Sequence, residues 1–202
     1  MSFVPEFELG LWNAWILVVP MLIFSVIGWR ILGKRGSGGF SGYTKKEQIL
    51  ESMGMLIIFA FYAYSIFLPL KVGTFWFYAG LLIYLLGMLI VILGLLSFHT
   101  TPVDKPVTKW VYRISRHPMY VGDILIDIGI SIACLSWIFL LIAIIAVILE
   151  SYVVTAEERI CLSHYGDAYR EYIDRTPQWI GIPNARAFSA IFTHFFYVNA
   201  LR

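Results

Sequence analysis

Apolar positions gather into five nearly unbroken runs, at residues 9–32, 49–70, 74–98, 118–135 and 137–156, with polar connectors between them. A helix crossing a hydrocarbon core needs about 20 predominantly apolar residues. The runs therefore predict an all-α, polytopic membrane helical bundle of about five transmembrane helices, the last two only just long enough. Pro20 falls inside the first run and predicts a kink. The short connector Lys71-Val72-Gly73-Thr74 predicts that the second and third helices form a tight antiparallel hairpin. Gly80, Gly87 and Gly94 recur every seven residues on the third, a face of small residues that another helix can approach closely.

Runs four and five are parted only by Leu135-Ser136-Trp137, which predicts a second hairpin. With the turn near Ser136, Arg116 and Glu157 each lie roughly 30 Å from it at 1.5 Å per residue. That puts Arg116-His117 level with Glu157-Glu158, and Asp123 level with Glu150 about two turns further in. Nothing breaks the helical pattern between Trp137 and Tyr165, so the fifth helix is expected to run on to a C-cap at Gly166. Asp167 to Arg175 then places Tyr169, Tyr172 and Arg175 at helical spacing before Pro177. Phe188, Ile191, Phe192, Phe195 and Phe196 form an amphipathic stripe expected to lie on the membrane or on the bundle. Three regions follow: an N-terminal three-helix membrane region, 1–98; a core of connector, hairpin and tail, 99–180; and an amphipathic segment, 181–202.

Composition supports the membrane reading. Of 202 residues, 59% are hydrophobic and 14% charged, too apolar for a soluble domain. The first run has Glu6 and Glu8 before it, no basic n-region and no small-residue cleavage site, so it is expected to stay as a helix. Lys and Arg concentrate between runs one and two, between three and four, and after five, with only Lys71 on the other side. By the positive-inside rule the N-terminus lies outside and the C-terminus in the cytoplasm. The net charge of +2 is thus a topology signal, and nucleic acid is not an expected partner. Cys134 and Cys161 fall on opposite sides of the membrane, which argues against a disulfide, and no Cys/His spacing resembles a metal site. The Gly-rich stretch Gly33 to Gly42 lacks the strand and lysine of a phosphate loop and reads as a linker.

The candidate chemistry begins at Ser115-Arg116-His117-Pro118-Met119-Tyr120-Val121-Gly122. Pro118 marks a helix start, where unpaired N–H groups and the positive dipole end suit an anion. Alone, Arg-His-Pro serves equally as a basic anchor at the membrane edge. Acids within or near the spans are Glu51, Asp123, Asp127 and Glu150, costly to bury in lipid unless they face one another, water or a ligand. Asp123 and Asp127 share a helix face. The other reading of these acids is hydrogen bonding between packed helices. His99, His164 and His194 read as surface or interfacial residues.

Three ordered pieces, Arg116 to Gly122, Glu157-Glu158-Arg159, and Tyr165-Gly166-Asp167-Ala168-Tyr169-Arg170-Glu171-Tyr172, resemble the membrane-integral methyltransferases that include isoprenylcysteine carboxyl methyltransferase and phosphatidylethanolamine N-methyltransferase. The resemblance runs from about His99 to Trp179; the first three helices agree only in being helices. It implies an S-adenosylmethionine-dependent enzyme with the cofactor at the cytoplasmic face. Arg116, His117, Pro118, Tyr120, Gly122, Glu157 and Glu158 are then expected to bind the cofactor. The acceptor is a lipid-like molecule, a phospholipid amine or an isoprenylcysteine carboxylate. Asp123 and Glu150 are the candidate proton acceptors for an amine, and Arg175 a weaker candidate for orienting the acceptor. The alternatives are a nicotinamide-dependent isoprenoid or sterol reductase and a small proton-coupled transporter. Neither the oligomeric state nor the choice of amine or carboxylate follows from the residues, although the acids favour an amine slightly.

Overall fold

The computed structural model describes residues 8–33 and 42–181. Residues 34–41 of the Gly-rich linker and the Phe-rich stripe lie outside them. The elements are α1 (Trp15–Gly33), α2 (Lys45–Ser65), α3 (Phe75–Thr100), a 3₁₀ turn (Trp110–Arg113), α4 (Pro118–Cys134), α5 (Trp137–Tyr165) and α6 (Asp167–Arg175). Among the described residues the only strand-like pairing is an isolated bridge between Asn13 and Pro69. Every apolar run has become a helix. Three of these, α2, α3 and α5, are by length and composition long and apolar enough to cross a membrane, whereas α4 has 17 residues.

The most intimate contact is between α3 and α4. Gly80, Gly87 and Gly94 face Gly129, Gly122 and Met119 respectively, and a Cβ added at Gly87 would sit 2.6 Å from the Gly122 carbonyl oxygen. A Cβ at Gly80 would collide with Gly129 in the same way. The small-residue face foreseen on α3 is therefore met by a second one on α4, and the two backbones touch. Ile126 and Ile130, fully buried, fill the core beside this seam.

The expected α2–α3 hairpin does not form. α2 packs mainly on α5, where the Phe61 and Phe139 ring centroids are 3.5 Å apart, and α1 contacts both α2 and α3. The connector between α2 and α3 is engaged elsewhere. Buried Asn13 donates to the carbonyls of Glu8 and Ile66 at 2.6 and 2.7 Å, Ala14 N–H donates to Leu68, and Leu70 N–H to Trp12. Lys71 N–H donates to Ala133 at the end of α4. These bonds stitch the connector to the chain before α1 and hold α2 away from α3. The α4–α5 hairpin does form, turned through Leu135 in the left-handed region (φ 54°) with Ser136 capping α5. Cys134 lies in the core at this turn end and Cys161 near the opposite end, with no disulfide joining them.

Thermal unfolding in detergent tests the seam. Gly87→Ala is expected to lower stability by about 1–3 kcal/mol, since an added methyl meets backbone that must shift. Gly54→Ala on α2, where an added Cβ meets nothing within 4 Å, is expected to be neutral or stabilising by about 0.5–1 kcal/mol. Equal melting of the two variants would contradict the seam.

Candidate functional site

The ends of α3, α4, α5 and α6, with the start of α2, converge at the end of the bundle opposite the Leu135 turn. Pro118 opens α4 at its first position, and it is among the fully buried residues. Gly166 ends α5 with φ 55°, a conformation glycine tolerates freely, and the chain turns there into α6. Tyr169 and Tyr172 on α6 pack with Val107 and Tyr112 in a small core of their own. Burial pushes both α6 phenols above their ordinary range, so they stay protonated and available as donors. Tyr172 Oη donates to the Tyr112 carbonyl at 2.6 Å.

Arg116 is the centre of a clasp. Its Nε and Nη2 donate to the two oxygens of Glu158 at 2.7 and 3.1 Å, and its Nη1 donates to the carbonyls of Ile173 and Thr176. Its backbone N–H donates to Pro177, and Ser115 Oγ donates to the Gln178 carbonyl. The chain after α6 is thereby wrapped round the start of α4. Arg116 and Glu158 are 10% and 16% exposed, so the bidentate pair is largely shielded from water. The levelling of Arg116-His117 with Glu157-Glu158 expected from residue counting is realised.

His117, 8% exposed, sits between the two glutamates, with Nε2 3.1 Å from Glu158 Oε1 and Nδ1 3.6 Å from Glu157 Oε2. The rings of Tyr120 and Trp179 flank it. Glu157 differs from its neighbour. It is 36% exposed and has no strong cation, its Oε1 accepting from Tyr120 Oη at 2.9 Å. Both oxygens of Glu158 are occupied within the fold, whereas Glu157 is more exposed and its Oε2 has only His117 Nδ1 nearby, at 3.6 Å.

Deeper in the bundle, Asp123, Asp127 and Glu150 line one small cavity of about 40 Å³ with Tyr62 and apolar residues of α1, α2 and α5. Asp123 and Asp127 lie about one and a half and two and a half turns inside Pro118, about 7.5 and 13.5 Å along the axis. No described side chain forms an ion pair with these three acids. Among the described residues no group of His, Cys, Asp or Glu is placed to hold a metal ion.

Residues 75–168 match the phospholipid methyltransferase family model. The α3–α5 core thus carries the pattern of a membrane methyltransferase family. The match starts at the first residue of α3, earlier than the His99 expected above, and so takes in the α3 glycines of the seam. It ends at Ala168, before the carbonyls that close the clasp. Neither the search of curated proteins nor that of solved structures gave a match.

Two expected ligand contacts, Gly122 for the cofactor and Arg175 for the acceptor, have other partners. Gly122 is turned to α3, where an added Cβ would meet Val91 and the Gly87 carbonyl, so it packs the seam. Arg175 is exposed on α6 and pairs with Glu171 one turn back. The structure also adds Tyr43, which had gone unnoticed. Burial first, and then the nearby charges of Glu157 and Glu51, push its phenol upward. The signal for its position was the capping box Thr44-x-x-Glu47, whose reciprocal bonds fix the start of α2.

Arg116→Gln leaves Glu158 largely buried without its cation and is expected to cost about 3 kcal/mol. Limited proteolysis of the chain after Gly166 should accelerate in this variant and respond less to Tyr172→Phe, which removes one hydrogen bond worth about 1 kcal/mol. An unchanged cleavage rate for Arg116→Gln would show that the clasp does not hold the tail.

Proposed function

We propose that the protein transfers a methyl group from S-adenosylmethionine to the amine of a membrane lipid. The family match over the α3–α5 core carries this reading. The residues present suit such a cofactor: at the clasp, carboxylates outnumber strong cations, and Glu157 keeps an exposed face toward a ligand that bears an ammonium and a sulfonium. In this proposal Glu157, with Tyr120, binds a cationic or hydroxyl group of the cofactor. His117 orients both glutamates. Arg116 and Glu158 act one step back, holding the tail that shapes the site, and Pro118 sets the start of α4.

S-adenosylmethionine supplies a methyl carbon on a positively charged sulfur, open to in-line displacement by a nucleophile. The chain's tasks are then positioning and exclusion of water. A lipid acceptor enters from the side of the bundle, and its ammonium is drawn toward the acids of the inner cavity. The carboxylate of Asp123 or Glu150 takes the ammonium proton, which frees the nitrogen lone pair for attack. A carboxylate acceptor such as an isoprenylcysteine needs no such base. The three acids therefore support the amine. The face toward the cytoplasm follows from the distribution of Lys and Arg and belongs to this proposal too.

Calorimetry on the purified protein tests the cofactor: saturable binding of S-adenosylmethionine is expected, and binding of reduced nicotinamide nucleotide alone would place the protein with the reductases. Glu157→Gln is expected to weaken cofactor binding by about ten-fold or more. In proteoliposomes with labelled methyl donor, Asp123→Asn should slow transfer to phosphatidylethanolamine at least about ten-fold while sparing any transfer to an isoprenylcysteine carboxylate. Equal loss on both acceptors would make Asp123 a packing residue.

A further inference from the structure

The inner cavity that holds Asp123, Asp127 and Glu150 is walled by α1, α2, α4 and α5, and these helices are not joined equally firmly. α4 is held on α3 by the glycine seam and linked to α5 by the tight Leu135 turn. α2 is held on α5 by the stacked rings of Phe61 and Phe139 and by the Arg159 pair with Glu47 at 2.7 Å. α1 is fastened to α3, where Tyr84 Oη donates to the Leu17 carbonyl at 2.8 Å and Gly28 lies close against Leu95. The remaining join, between α1 and α2, is tied at the end away from the site, where Asn13 and Ala14 bond to the carbonyls of Ile66 and Leu68. Elsewhere these two helices touch little. The cavity comes to the surface between them, for Met21 of α1 and Ile57 and Ile58 of α2 line it and are only half-buried.

Next to these lining residues, on the side toward the clasp, both helices carry small residues. Ser25 lies one turn beyond Met21 on α1 and is exposed. Gly54 lies one turn before Ile58 on α2 and seven residues before buried Phe61, so it shares their inward face. An added Cβ at Gly54 would nevertheless meet nothing within 4 Å. Glycine weakens a helix interior, and the α3 and α4 glycines offset that by letting backbones touch. Gly54 makes no such contact; it leaves open space on the side of α2 that faces the cavity.

The chemistry along this gap changes with depth. Its mouth is apolar and faces lipid, and its inner end carries three carboxylates that form no ion pair among the described residues. An occupant that fits both ends is apolar over most of its length and cationic at its head. An amine-bearing membrane lipid has that form, whereas a soluble amine has nothing for the mouth and a purely anionic lipid is repelled by the acids.

We infer that the gap between α1 and α2 is the lateral entrance for the lipid acceptor, which places its amine in the inner cavity and leaves its acyl chains beside Met21, Gly54 and Ile58. The inference rests on the methyltransferase reading above. Both helices lie outside the matched segment 75–168. The acceptor is thus admitted by a part of the chain that the family pattern does not cover.

The test uses the full chain in phosphatidylglycerol vesicles containing phosphatidylethanolamine with a photoactivatable diazirine on one acyl chain. Mass spectrometry after illumination is expected to find label concentrated on α1 and α2 around residues 21–25 and 54–58, displaced by unlabelled phosphatidylethanolamine and not by added phosphatidylglycerol. Label spread equally over the lipid-exposed residues of α3, or label that phosphatidylethanolamine does not displace, overturns the inference. Gly54→Phe, which fills the open space, should raise KM for phosphatidylethanolamine about ten-fold or more while S-adenosylmethionine binding and the melting temperature stay as in the unsubstituted protein. Leu86→Phe, on the exposed side of α3, should leave that KM unchanged. An unchanged KM in Gly54→Phe, or the same rise in Leu86→Phe, overturns the entrance and leaves the methyltransferase reading intact. Failure of the unsubstituted protein to bind S-adenosylmethionine overturns both.

Discussion

The backbone contact between α3 and α4 is the constraint on which the rest of the molecule depends. In a bilayer, apolar side chains gain little by leaving lipid for protein, so helix association relies on close packing. Gly80 and Gly87 on α3 and Gly122 and Gly129 on α4 allow the two backbones to touch. That contact fixes the rotation of α4 about its own axis. With Gly122, Ile126 and Gly129 committed to α3, Asp123 and Asp127 are turned toward α2 and α5. The direction in which the intramembrane acids point is a consequence of glycine packing on the other side of the helix.

The charged residues at the site end divide into two kinds of work. Arg116, Glu158, Arg159 and Glu47 are saturated by one another and by backbone carbonyls, and they hold α6, the tail and the start of α2 in place. Among the described residues, Asp123, Asp127 and Glu150 form no ion pair, and Glu157 has only His117 beside it. Under the proposed function, the excess of carboxylates at the rim and in the cavity below suits a ligand that carries positive charge. This matches a sulfonium donor and an amine acceptor better than it matches a nicotinamide phosphate or a carboxylate acceptor. Arg116, the arginine of the motif, spends its guanidinium on Glu158 and on the carbonyls of Ile173 and Thr176, while Glu157 beside it keeps a more exposed carboxylate.

Much of this was legible in the residues. The length and apolarity of the runs dictate helices, since only intrahelical hydrogen bonding satisfies the backbone in lipid. The residue count from Ser136 placed Arg116-His117 opposite Glu157-Glu158, because two straight antiparallel helices of fixed rise leave no other register. Gly166 as a cap and α6 as a helix followed from local rules, and so did the small-residue face of α3.

What the sequence could not decide was which helices are neighbours and where each polar group finds its partner. The α2–α3 connector was short enough for a hairpin, but Asn13 and the backbone before α1 capture it, and such long-range hydrogen bonds leave no local periodicity. As a result α2 lies on α5, and only then does Glu47 reach Arg159 beside the site. Gly122 sat in a motif that suggested cofactor contact and Arg175 was a candidate for orienting the acceptor, yet packing gave one to α3 and local pairing gave the other to Glu171. The sequence by itself determined the helices, their lengths and the level at which the charges lie. The tertiary structure alone decided the rotation of each helix and its neighbours, because these depend on contacts between residues far apart in the chain.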